Sequence, residues 1–241
     1  MDVEYLVVGQ GTILRISPWR DEPSTVQVVV VGGPAPDDRA INEMMVHLAN
    51  RSVATVLTTA LARHDQQPFE AAGFRPVEHL TLLHRILDPT IPPAPVRTVH
   101  RVRRLRARQL AEALAVDMAA FTGSTDIWQF DTSAFAEACE ATDVNRRRLV
   151  RRHGRTAGFA LTGRTARNGF VQRLAVHPEH QRVGIGSALL ADALAWLIRH
   201  GVRDVWVNTQ PDNEPAQTLY GRHGFIPRDE GLAVLRSTTG R

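Results

Sequence analysis

Residues 170–200 read FVQRLAVHPEHQRVGIGSALLADALAWLIRH, and this stretch decides how the chain folds. Val171 to Val176 form an apolar run that His177-Pro178 stops, because proline has no N–H to give to a strand ladder. After the turn QRVGIGS, the residues Ala188, Leu189, Ala193, Leu194, Leu197 and Ile198 recur three and four apart, which is one face of a helix. A strand therefore feeds a glycine loop that opens a helix. Gly184 and Gly186 permit backbone conformations barred to other residues and remove side chains, so successive N–H groups can face outward at the helix start. Those donors, the helix dipole and the charge of Arg182 together suit a phosphate or pyrophosphate.

Other glycine-loop readings fail on the letters. A dinucleotide fingerprint needs a third glycine where Leu189 stands, and a Walker loop needs a lysine, which this chain lacks altogether. The same absence excludes Schiff-base and pyridoxal chemistry. Taken alone, the loop also reads as an ordinary strand-to-helix turn.

The next segment removes that ambiguity. Residues 202–225, VRDVWVNTQPDNEPAQTLYGRHGF, give a strand and then a short helix. The two segments resemble motif A and the following motif of the GNAT superfamily of acyl-CoA-dependent N-acetyltransferases. The first motif, Q/R-x-x-G-x-G/A, is met by Gln181 or Arg182 through Gly184 and Gly186. The second, N-x-x-A-x-x-L-Y-x-x-x-G-F, is met by Asn213, Ala216, Leu219, Tyr220, Gly224 and Phe225. The resemblance is close over 170–236 and rests on element order alone over 96–169. It implies an α+β fold of the GNAT kind, a mixed, V-split sheet flanked by helices, with acetyl-CoA as co-substrate; no metal is expected, because His177 and His180 lack further convergent ligands. It further implies that the backbone of Leu174, Ala175 and Val176 pairs with the pantetheine arm. By the same resemblance Gln181, Arg182, Val183, Gly184, Ile185, Gly186 and Ser187 cradle the pyrophosphate, and Asn208 and Asn213 border the channel.

The reaction so implied has three needs: removal of a proton from an ammonium, stabilisation of an oxyanion by fixed donors, and protonation of the departing thiolate. Tyr220 suits the last, since a phenol with a pKa of about 10 is protonated at neutral pH, and the resemblance gives the same role to a tyrosine at this position. No base is assigned. Gln172 and Arg173 on the strand before the loop are poor bases, while Glu179, Asp126, Asp131, Glu137 and His153 read as surface residues.

Outward from this core, residues 87–97, LDPTIPPAPVR, hold Pro89, Pro92, Pro93 and Pro95 and read as a linker, centred on 88–96. It divides the chain into 1–90 and 96–241. Before it come a strand at 26–31, a helix at 38–49, a strand at 53–58, a short helix ending at Gly73 and a strand-like tail through Leu87. After it come a strand at 96–104, helices at 109–121 and 133–142, and a hairpin over 148–161 turning at His153-Gly154. A strand at 170–176, a helix at 187–200, a strand at 202–209, a helix at 215–223 and a strand at 231–236 follow. Residues 69–76, FEAAGFRP, repeat the pattern of residues 220–227, YGRHGFIP, at the same place in the element order. The first part is thus read as a degenerate, truncated GNAT-like half-domain. Phe69 stands where Tyr220 does and has no proton to give, and Asp37 and Asp38 follow Gly32-Gly33 where a phosphate wants positive charge.

Composition sets the outer limits. The 241 residues are 43% hydrophobic and 22% charged, with 29 basic and 25 acidic groups for a net +4, which suits soluble domains. No run approaches the roughly 18–20 apolar residues of a membrane span, and the first residues lack a signal-peptide pattern, so a cytoplasmic protein without a membrane partner is expected. The single Cys139 excludes an internal disulfide framework. Arginines at 101–108 and 146–155 lack interleaved aromatics and read as solvated faces, which argues against a nucleic-acid partner. They keep an arginine-driven nucleic-acid binder as a third reading, after an acyl-CoA-binding regulator without turnover. The acceptor is expected to be a small-molecule or peptide amine. Asp117, Asp126, Asp131, Glu137 and Glu140 lean toward a cationic one.

Overall fold

The sequence runs through one succession of elements twice, and the computed structural model, which describes residues 2–19, 22–88, 90, 99–122 and 130–239, displays both passes. The first pass is β1 (Glu4–Val8), β2 (Thr12–Trp19), β3 (Glu22–Gly32), α1 (Asp38–Ala49), β4 (Thr55–Ala62), α2 (Arg63–Ala71) and β5 (Arg75–Ile86). The second is β6 (Val102–Arg104), α3 (Leu110–Ala120), α4 (Thr132–Glu140), β7 (Val144–Arg152), β8 (Arg155–Thr165), β9 (Asn168–Val176), α5 (Ile185–Arg199), β10 (Asp204–Thr209), α6 (Glu214–Arg222), β11 (Ile226–Pro227) and β12 (Leu232–Thr238). The expected elements recur with end shifts of a few residues. Most of the proline-rich linker and the start of the strand expected at 96–104 lie outside the described residues. No helix among the described residues is long and apolar enough to cross a membrane.

Two compact units emerge, and neither is a continuous half of the chain. The first comprises Met1–Leu82, Thr209–Asp212 and Arg228–Arg241; the second comprises Leu83–Asn208 and Asn213–Pro227. The division therefore falls at Leu82/Leu83, ahead of the proline-rich segment, and the final strand groups with the first unit.

In the first unit, β1, β2 and β3 form an antiparallel meander, and β3 runs parallel to β4 from Thr25↔Thr55 to Val28↔Thr58. The β1–β2 hairpin went unread in the sequence, although Gly9 and Gly11, both at positive φ, mark its turn. The C-terminal β12 lies antiparallel to both β4 and β5. Its Ala233 and Leu235 are buried with Leu14, Ile16, Ile41, Met44 and Phe74, so apolar burial holds the strand there. The unit has no counterpart of β6, α3 and α4 among the described residues, and in that sense it is truncated.

In the second unit, β6, β7, β8 and β9 are antiparallel neighbours, and the β7–β8 turn is His153-Gly154, both at positive φ as a tight hairpin requires. β9 runs parallel to β10. The end of β5 joins this unit: Ile226 pairs with His84 and Pro227 with Leu83, and the Leu87 N–H donates to the Arg203 carbonyl at 2.6 Å. Leu83 and Leu87 are buried in the same cluster as Leu190, Leu194, Val205, Tyr220 and Phe225.

The repeated motif closes in the same way in each unit. The Phe74 N–H donates to the Phe69 carbonyl at 3.0 Å, and the Phe225 N–H to the Tyr220 carbonyl at 3.1 Å. Gly73 and Gly224 sit at φ 90° and 75°, the left-handed conformation that ends a helix with such a bond. Phe69 and Phe74 meet edge to face at 5.3 Å, Tyr220 and Phe225 at 5.6 Å.

Candidate active site

The site begins with a strand pair that comes apart. β9 and β10 pair only over Asn168↔Asp204 to Phe170↔Trp206, although β9 continues to Val176. Along β8, Leu161 pairs with Arg173 and Thr162 with Val171, so Gln172 is the extra residue of a bulge. A bulge adds twist and bends its strand, which suits the divergence beyond Phe170. Leu174 to Val176 thus keep a strand neighbour in β8 and none in β10.

At the mouth of this split, Pro178–His180 make one 3-10 turn, and the chain then passes through Arg182 at φ 59° and Gly184 at φ 91° into α5. Gly184 is the N-cap and offers no side chain. The Ala188 N–H bonds the Gly184 carbonyl at 3.0 Å, whereas those of Ile185, Gly186 and Ser187 precede the first helical bond. His100 Nε2 lies 2.7 Å from the Val183 carbonyl oxygen and ties the loop to the residues before β6. A Cβ on Gly186 would come 3.2 Å from Leu219 Cδ2, so its absence lets α6 approach closely.

The two units treat their corresponding helix starts in opposite ways. In the first unit Asp37 caps α1, its Oδ1 accepting from the Ala40 N–H at 2.8 Å. That carboxylate takes up a donor which an anion would otherwise claim.

A cleft of about 1010 Å³ lies in the second unit between the end of β9, the glycine turn, the start of α5 and α6. Leu174, Ala175, Val176, Gln181, Arg182, Gly184, Ile185, Gly186, Ser187, Asn213 and Tyr220 line it. Val183 and Asn208 do not belong to the lining; Val183 is turned outward at 44% exposure, and Asn208 is an exposed position of β10. Asn213 caps α6, its side-chain oxygen accepting from the Ala216 N–H at 3.1 Å. Tyr220 is 5% exposed, and burial pushes its phenol up to about 12, opposed by the charge of Arg173.

Several lining residues were not singled out in the sequence. Phe121 is one, and His223 is another, with its Nε2 2.7 Å from Ser187 Oγ. Burial, and then Arg85, hold the His223 imidazole below its usual range. The sequence marks His223 only by its place one short turn beyond Tyr220 and gives no sign of its partner Ser187, 36 positions earlier.

Two of the acidic residues expected to favour a cationic acceptor, Asp117 and Asp131, have structural tasks. Asp117 is buried, with its two oxygens 2.7 and 2.5 Å from Nε and Nη2 of Arg173, whose guanidinium lies over the rings of Phe121 and Phe130. Burial pushes the Asp117 carboxyl up, against the pull of Arg173. Asp131 caps α4 by accepting from the Ala134 N–H, and Asp126 lies outside the described residues. Glu179 is exposed, and His153 occupies its turn. Burial likewise raises the Cys139 thiol, away from a thiolate. Of the arginine runs, Arg146 forms a bidentate pair with Asp192 and lies over Trp196.

Comparison with known proteins gives the same outline. The acetyltransferase (GNAT) family model matches residues 109–225. Over 89 residues, 37% of this chain, the sequence is 34% identical to the ribosomal protein bS18-alanine N-acetyltransferase of Escherichia coli strain K12 and spans 60% of that relative's length. A longer match at 28% identity over 222 residues covers 83% of this chain and 71% of the mycothiol acetyltransferase of Acidimicrobium ferrooxidans. Among solved structures, a tandem GNAT protein from the clavulanic acid biosynthesis pathway has a TM-score of 0.68 at 16% identity, covering 97% of this chain and 81% of that one. At that identity the likeness is one of fold.

Proposed function

Since residues 109–225 make this chain a member of the acetyltransferase (GNAT) family, we propose that it transfers an acetyl group from acetyl-CoA to a primary amine in the cleft of its second unit. The observation that carries this reading is the pairing of an uncapped glycine turn with a split strand and a buried tyrosine in one cavity. The fit to acyl-CoA is chemical. The edge of Leu174 to Val176 that β10 leaves uncovered, where Gln181 Nε2 meets the Val176 carbonyl at 3.1 Å, offers backbone groups to an amide-bearing arm, as a further strand would. The N–H groups of Ile185, Gly186 and Ser187, with Arg182 beside them, offer donors and charge to a pyrophosphate. The co-substrate supplies an activated thioester carbonyl.

The remaining work belongs to side chains. Tyr220 keeps its proton at any physiological pH, since burial disfavours the phenolate, and so is available to protonate a leaving thiolate. Collapse of a tetrahedral intermediate, formed by direct attack of the neutral amine, needs that proton. Phe121 lines the cleft, and the Arg173 guanidinium stacked on its ring is compensated by Asp117, so this side carries no uncompensated charge. The first unit, with Asp37 on its helix start and Phe69 in place of tyrosine, presents no second such constellation among its described residues.

Thiol release from acetyl-CoA, measured against a panel of peptide N-termini and small amines, tests the reading. Tyr220→Phe should lower kcat by about 10² or more with acetyl-CoA affinity kept. Saturable acetyl-CoA binding without thiol release on any amine would instead identify a regulator without turnover. Unchanged acetyl-CoA affinity in a chain with Gly184, Gly186 and Arg182 all replaced would sink both.

A further inference from the structure

One wall of the cleft carries a polar chain that the reaction does not use. Ser187 lies in the first turn of α5, next to the N–H groups that have no helical partner, and its Oγ is 2.7 Å from His223 Nε2. His223 is the C-cap of α6, and its own carbonyl accepts from Arg85 Nη1. Arg85 comes from the end of β5, and its guanidinium also covers Gly224, where an added Cβ would meet Nε at 3.6 Å. The three residues thus link β5, α6 and α5 within the second unit, and Ser187 and His223 both line the cleft.

We propose that His223 is a positioning residue for the phosphate end of the cleft, acting through the Ser187 hydroxyl and held in place by Arg85. This rests on the acyl-CoA reading given above. The chemistry follows from what each group can donate. A neutral imidazole has one N–H and one lone pair. With the proton on Nε2, His223 donates to Ser187 Oγ, and the hydroxyl proton is left to point at an anion. With the proton on Nδ1, Nε2 accepts that hydroxyl proton and presents an oxygen lone pair to the anion instead. An anion at the helix start therefore selects the first arrangement. Burial and the charge of Arg85 both disfavour the imidazolium, so the ring serves as a neutral donor. Arg85 has a second effect: it meets the carbonyl at the C-terminal end of α6, where the helix dipole is negative and cations are favoured. The end of the first repeat's last strand thereby bears on the phosphate turn of the second.

Calorimetric titration with acetyl-CoA tests this on Ser187→Ala, His223→Phe, His223→Gln and the double variant Ser187→Ala/His223→Phe, with thermal unfolding as the check on folding. Phenylalanine keeps the ring and removes its hydrogen bond; glutamine keeps an N–H donor. Ser187→Ala and His223→Phe should each weaken acetyl-CoA about tenfold, the size of one hydrogen bond to a charged group. The double variant should lose no more than either single one, and His223→Gln should recover to within about threefold of the wild type. Additive losses, or a glutamine variant as weak as the phenylalanine one, would overturn the proposal. A measurement without substitution guards against variants that do not fold. In ¹⁵N-labelled wild-type protein saturated with CoA, the His223 ring must carry its proton on Nε2, and a proton on Nδ1 refutes the assignment. A wild-type chain that binds no acetyl-CoA strikes the acyl-CoA reading itself, whereas binding with independent Ser187 and His223 effects strikes only the role of His223.

Discussion

Tyr220 shows how one side chain acquires its chemistry from its surroundings. In the sequence it is an aromatic at the end of a short helix; in the fold it is buried against Phe225, among Leu83, Leu87 and Leu194. Burial lifts its pKa from 10.0 to about 12, and this has a consequence for stability. Below pH 10 the phenol is neutral in the folded and unfolded chain alike, and its contribution is fully present. Between 10 and about 12 the unfolded chain loses the proton first, so stability falls as pH rises. The total is about 2–3 kcal/mol for a shift of two units. Chemical denaturation across this alkaline range should show that decline in the wild type and a flatter curve in Tyr220→Phe; parallel curves would mean that the phenol is not buried as described. The glycine motif and Tyr220 were legible because their chemistry is local. His223 and the Arg173–Asp117 pair were not, because their partners stand 36 and 56 positions away in the chain.

Among the elements, the telling contrast is between the first turns of α1 and α5. Both follow a strand that runs parallel to the next strand of its unit, but α1 is capped by the carboxylate of Asp37 and α5 starts at a bare Gly184. An occupied cap and an anion compete for the same N–H groups. Replacing Asp37 by Ala should therefore cost about 1 kcal/mol of stability, read by denaturant midpoint, with no change in acetyl-CoA affinity. Gly184→Asp should have the converse result: a carboxylate at the start of α5 should abolish measurable acetyl-CoA binding by calorimetry while the far-ultraviolet circular dichroism is kept. Equal effects of the two substitutions on binding would remove the distinction between the units. The helices themselves were legible from their three-and-four spacing and their terminal glycines. The β1–β2 hairpin was missed because its second strand, TILRISPW, alternates imperfectly, burying Ser17 beside Ile16. The split of β9 from β10 was expected only through the family resemblance, since a bulge leaves no mark in composition.

At the scale of the molecule, each unit holds a piece of the other half of the sequence. Leu83 to Leu87 complete the core around Tyr220, and Leu232 to Thr238 complete the sheet beside β4. A fragment of residues 96–241, cut where the proline-rich segment invites it, lacks Leu83 and Leu87 and keeps a strand whose neighbours are gone. It should show no cooperative thermal transition, because each buried leucine lost from a core costs about 2–5 kcal/mol against a total stability of about 5–15 kcal/mol. A sharp transition in that fragment would show the second unit to be self-sufficient. The sequence by itself determined the two passes of strand and helix, the glycine turn at the start of α5 and the tyrosine that follows it, because hydrophobic period, chain-breaking residues and proton affinity are properties of neighbouring residues. Only the tertiary structure decided where the units divide, which strand completes each sheet and which distant histidine meets Ser187, because burial is satisfied by whichever apolar segment reaches the core, and the letters of a segment do not say whose core that is.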